Sequence, residues 1–144
     1  MDVSELRKRI LRALDDARKD AATRRQVVDA AAAAYEMFLA TTAVPIVRQA
    51  IAVLRAEGHA FTANTPAGGV RLASDASPQT FIEFALDTSG PNPQVIGRVS
   101  LTRGRLGVIV EERSIAPGKA LSDLTDDDVA RFLVDEIPKL VSRP

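Results

Sequence analysis

The sequence predicts an α+β fold made of N-terminal helices, a five-stranded antiparallel meander and a C-terminal helix packed on one sheet face. Three observations lead there. Residues 2–43 contain neither glycine nor proline and carry apolar side chains at helical spacing. From residue 60 the pattern changes to short period-two runs separated by Gly, Pro, Asn and Asp clusters. A threonine followed by aspartates then opens a last amphipathic stretch.

The first helix begins at Asp2 and Glu5, which have the spacing of a capping box with Asp in place of Ser or Thr. Its stripe runs through Ile10, Leu14, Ala17, Ala21, Val28, Ala31, Tyr35 and Phe38, with Arg24 standing where one further apolar residue would fall. A single helix over residues 2–43 would be about 60 Å long at about 1.5 Å per residue. A periodic stretch of this length points to an arm, a coiled coil or a dimer helix. The alternative is a break near residues 20–23 that folds it into a helical pair. The lack of any turn residue favours one helix. Its first half has a weak seam of small and charged residues, which holds helices together less well than Leu and Ile would.

Thr41, Thr42 and Pro45 read as a stop and a restart, with a threonine capping a shorter second helix and Pro45 in its first turn. Val47, Ile51 and Leu54 form its apolar stripe, and Gly58 ends it. Strands are expected at 60–64, 70–74, 80–87, 94–102 and 106–112, the last two joined by a hairpin at Arg103-Gly104-Arg105. Thr125 and Asp128 have capping-box spacing, and Asp126–Asp128 place negative charge at the start of the final helix. Val129, Phe132, Leu133, Ile137 and Leu140 supply its apolar face, and Pro138 loosens its last turn. The simplest partition is one domain over 1–144, with 1–43 as a protruding or oligomerising helix and 44–144 as the core.

Composition narrows the function. Nineteen basic residues balance nineteen acidic ones, so the chain as a whole is not committed to nucleic acid or to an anionic surface. The absence of cysteine removes disulfides, thiolate chemistry, Cys-ligated zinc and iron–sulfur clusters. The N-terminus lacks the layout of a signal peptide, and no run of apolar residues approaches the length of a membrane span. The expectation is a bacterial-type cytoplasmic protein without membrane association, metal or cofactor.

No motif marks an enzyme, and non-enzymatic is the favoured reading. His59, the only histidine, follows Gly58 and reads as part of a helix end. Gly68-Gly69 precedes a strand and has no following Lys-Ser/Thr, so it reads as a turn and not a phosphate loop. The carboxylates Glu83, Asp87 and Glu111 carry no sign of perturbation, and no catalytic residue is assigned.

Two interaction surfaces are candidates. One sheet face is expected to carry Arg71, Phe81, Glu83, Ile96, Arg98, Ile109 and Glu111, a mixture of fixed charge and exposed apolar groups. Arg98 flanked by Glu83 and Glu111 is more simply read as an ordinary cross-strand ion-pair ladder. The second candidate is the N-terminal helix, with Arg7, Arg9 and Arg12 on its basic stretch and Tyr35 and Phe38 on its apolar stripe. The favoured function is an adaptor, regulator, immunity or chaperone-like protein that binds another protein or itself, a homo-oligomer included. A small-ligand or nucleotide-binding domain is the first alternative. A nucleic-acid-associated protein using the basic helix is the second and less favoured one, because acids interrupt its cations.

Overall fold

The computed structural model describes residues 1–141. The last three residues of the expected 44–144 core lie outside it. Helix α1 (Val3–Phe38) is unbroken, with Asp2 as its N-cap: the Asp2 carboxylate accepts from the Glu5 N–H at 2.7 Å. The expected stop at 41–45 does not occur. A five-residue π turn, Leu39–Ala43, carries the chain without interruption into α2 (Val44–Ala56). Proline lacks an N–H and clashes with the carbonyl one turn back, so Pro45 strains an α-helical ladder. The wider π turn absorbs that misfit. Neither Thr42 nor Thr41 caps α2, whose start at Ala43 has no side-chain cap; the Thr41 hydroxyl donates to the Met37 carbonyl at 2.7 Å. The result is one helical rod over Val3–Ala56, about 80 Å long at about 1.5 Å per residue. It closes at Gly58 with a Schellman pair, Gly58 N–H to Arg55 O at 3.1 Å and His59 N–H to Leu54 O at 2.8 Å.

The sheet is an antiparallel meander in the order β1 (Phe61–Asn64), β2 (Gly69–Ser74), β3 (Phe81–Asp87), β4 (Gln94–Thr102), β5 (Val108–Ser114). Helix α3 (Asp126–Val141) follows a short 3₁₀ turn at Leu121–Asp123. Its N-terminus has a reciprocal capping box: the Thr125 N–H donates to the Asp128 carboxylate at 2.9 Å, and the Asp128 N–H to the Thr125 hydroxyl at 3.3 Å. Burial raises the Asp128 carboxyl, but hydrogen bonds from Lys119 and Thr125 outweigh it and leave the group below its ordinary range.

One sheet face and three helical segments make the core. Val70, Leu72, Ile82, Phe84, Val99 and Leu101 face Val47 and Leu54 of α2, Val129, Phe132 and Leu133 of α3, and Tyr35 and Phe38 at the end of α1. Tyr35 and Phe38, expected on a contact surface, are therefore in the interior at 4% and 5% exposure. The Tyr35 hydroxyl lies against two carbonyls, Gly68 O at 2.9 Å and Phe84 O at 3.1 Å. Burial first, and the charge of Glu83 second, push its pKa well above the usual phenol value.

The β4–β5 register differs from expectation. The connection spans Arg103 to Gly107 and not three residues, with Arg103 N–H bonded to Gly107 O at 2.8 Å. Gly107 has φ 77°, a conformation that a side chain disfavours, and it ends the loop where Gly104 was expected to centre it. Val108 then pairs with Thr102, Val110 with Ser100 and Glu112 with Arg98. Ile109 and Glu111 consequently lie on the helix side, opposite Leu101 and Val99. Side chains alternate faces along a strand, so this register swaps the two sets on β5.

Candidate functional site

Three surfaces stand out. The first is the sheet face that no helix covers. Glu83 on central β3 sits between Arg71 on β2 and Arg98 on β4, at 3.2 Å from each, and Arg98 continues to Glu112 on β5 at 2.7 Å. The Arg71 guanidinium also lies 3.9 Å over the Phe81 ring. Glu83 is only 7% exposed. Its carboxylate is satisfied by two guanidinium groups, as a buried charge requires. Glu112 takes the place expected for Glu111, which instead lies 3.6 Å from Lys139 of α3. The Glu112 hydrogen bond is the main reason that the Arg98 pKa is raised. Phe81 and Ile96 complete this face and are half-buried, whereas Val108 and Val110 at its β5 edge are 44% and 51% exposed. Arg71, Phe81, Glu83, Ile96 and Arg98 thus share one surface; Ile109 and Glu111 do not. The alternating charges cancel locally, so the ladder fixes register more than it attracts an ion.

The second surface is the first half of α1. Every residue from Met1 to Val27 is exposed. Val3, Leu6, Ile10, Leu11 and Leu14 stand at 84%, 48%, 49%, 53% and 49% exposure. The capped, unbroken helix leaves these side chains outside the core. Arg9 pairs with Glu5 at 3.4 Å and Lys19 with Asp15 at 3.1 Å, both one helical turn apart. Arg7 and Arg12 lie on the same projecting stretch and form no ion pair among the described residues. Where the helix returns to the body, Arg24 clamps the β3–β4 loop, its guanidinium donating to Thr88 O and, at 3.0 Å, to Gly90 O. Arg24, the misfit in the apolar stripe, is this anchor.

The third surface is a groove of about 790 Å³ beside that anchor. One wall is α1, with Val27, Ala30, Ala31 and Ala34; the other is the β3–β4 loop at Gly90–Gln94 and the segment Gly118–Ser122. Lys119, the one charged side chain lining it among the described residues, is held by Asp128 at 2.8 Å. Sequence reasoning missed this groove, because its walls come from three separate segments. The signals available were the alanine run 30–34 and the two Pro/Gly-rich loops.

Among the described residues no group of three or more His, Cys, Asp or Glu side chains comes together as a metal site would need. By length and composition the rod Val3–Ala56 meets the requirement for a membrane span, contrary to the reading by apolar runs. Tyr35, Phe38, Ala43, Val47 and Leu54 of the rod pack in the core, and 22% of its apolar window is buried.

Compared with known proteins, the chain matches no family model, no curated protein and no solved structure.

Proposed function

We propose that this chain is a non-catalytic interaction protein, of the adaptor, regulator, immunity or chaperone-like kind, whose docking element is the projecting half of α1. The observation that carries the reading is the row Leu6, Ile10 and Leu14, three large apolar side chains about half exposed on a helix that touches no core there. Most helical stability in proteins comes from packing an apolar face. A row of this kind therefore gains by being covered. The uncovered sheet face, with its charge ladder and the exposed valines of β5, offers a second and more polar contact area.

The test is a triple variant, Leu6→Ser, Ile10→Ser and Leu14→Ser. These positions make no core contacts, so the melting of the body should move by less than about 0.5 kcal/mol. Association, read as native mass and as proteins recovered with the tagged full-length chain, should be lost. Unchanged native mass and unchanged recovery would sink the proposal.

A further inference from the structure

We infer that the occupant of the arm is a second copy of this chain, with residues Leu6–Leu14 of each copy seated in the groove beside Ala30 and Ala34 of the other. The inference rests on the arm being a docking element and says what it docks to. Because the rod is unbroken through Val3–Ala56, the arm cannot fold back into its own groove; only another molecule can bring such a segment there.

The two surfaces are complementary in size. The arm presents Leu6, Ile10 and Leu14, and the groove presents Val27, Ala30 and Ala34 against Pro91, Pro93 and Leu121. Large side chains from one helix fill the space that alanines leave on another. They are also complementary in charge. Leu6–Leu14 holds four cations, Arg7, Lys8, Arg9 and Arg12, and no carboxylate. The segment that follows the groove wall carries Asp123 and Asp126, which form no ion pair among the described residues, with Asp123 next to the lining residue Ser122; Asp127 beside them pairs with Arg131. A small polar ligand would be held by converging polar groups, and the groove's one charged side chain is already engaged by Asp128.

Register closes the argument. Two α1 helices laid antiparallel and centred near residue 20 bring Ile10 of each copy level with Ala30 of the other, and Leu6 level with Ala34. The same centre brings Asp15 and Asp16 level with Arg25 and Arg24 of the other copy. Both grooves fill at once, as a closed two-fold interface demands.

The chain has no cysteine, which permits a direct test. Single variants Ile10→Cys and Ala30→Cys are prepared in the full chain, mixed, exchanged by dilution and reconcentration, and treated with a short bismaleimide. The expected result is a covalent species of twice 15.4 kDa in the mixture, at least about tenfold more abundant than from either variant alone. Residues 10 on the two helices of such a pair lie about 30 Å apart at about 1.5 Å per residue, too far for the reagent. Efficient linking of Ile10→Cys to itself would overturn the inference by showing arm against arm. A 15.4 kDa native mass at every concentration would also overturn it. If the serine variant still loses a different captured protein in that case, the docking role of the arm survives and only the second copy is excluded.

Discussion

Gly97 gives the sharpest test of how the sheet and α3 fit. It faces the core from the middle of β4, and a Cβ there would lie 2.1 Å from Cζ of Phe132 and 2.6 Å from both Cε atoms. The ring has little room to retreat. Phe132 is 1% exposed, sits edge-on to Phe84 at 5.5 Å between centroids, and has the Arg113 guanidinium 4.3 Å over its ring. Gly97→Ala therefore overpacks the core, at a cost of about 1–3 kcal/mol. Against this, alanine restricts the unfolded chain and contributes about 0.4–1 kcal/mol. The net loss is about 1–2 kcal/mol, which lowers Tm by roughly 2–8 °C in a domain of this size. Urea denaturation followed by far-ultraviolet circular dichroism measures it. Phe132→Leu removes the ring tip that meets the new methyl, so the two changes should couple by about 1 kcal/mol or more, and alanine should become neutral or favourable in the leucine background. A Gly97→Ala protein more stable than the parent, or the same penalty in both backgrounds, would refute the packing argument.

Three further predictions concern other parts of the chain. Arg24→Ala frees the Thr88 and Gly90 carbonyls and should cost about 0.5–1.5 kcal/mol, with faster hydrogen exchange in the β3–β4 loop; Arg24→Lys should not restore it, because one ammonium cannot reproduce the two-pronged contact. The only tyrosine should resist ionisation while the chain is folded, because the folded pKa of Tyr35 lies above that of the unfolded chain. Its contribution to stability is then complete below about pH 10 and is lost as pH rises beyond that value; a spectrophotometric titration with an ordinary midpoint in the folded protein would contradict its burial. Asp128 and Glu136 have the opposite sign. Burial works against each charge, but hydrogen bonds from Lys119 and Thr125 to Asp128, and from Lys139 and Arg113 to Glu136, hold both below their usual range. Their stabilisation is present above about pH 4 and lost as pH falls through the folded values, so Asp128→Ala should cost about 0.5–2 kcal/mol near neutrality and flatten the acid limb of stability against pH.

The parts of the fold set by local chemistry were legible in the sequence. Helix α1 was visible in its period and its Asp2 cap, α3 in the Thr125–Asp128 box, and the meander in its alternation and turn residues. Two features were misread because neighbouring segments settled them. Pro45 signalled a new helix, yet packing of both Phe38 and Val47 on the same sheet favours a continuous rod through a π turn. The β5 strand has apolar residues at both parities, Val108 and Val110 against Ile109, so alternation could not choose its face; Gly107 chose it by lengthening the loop. Of the interaction surfaces, the charge ladder was legible except for its Glu112 end. Tyr35 and Phe38 could not be told from exposed stripe residues, because the same stripe runs from the projecting arm into the core.

The most direct measurement of the central claim is hydrogen exchange of the full-length chain at low and high protein concentration. The arm ahead of the Arg24 anchor makes no tertiary hydrogen bond among the described residues and should exchange rapidly across residues 3–20 when the protein is dilute. With a second copy seated, the arm and the groove segments Gly90–Gln94 and Gly118–Ser122 should all gain protection as concentration rises. Exchange of the arm and groove that does not change with concentration would contradict the account.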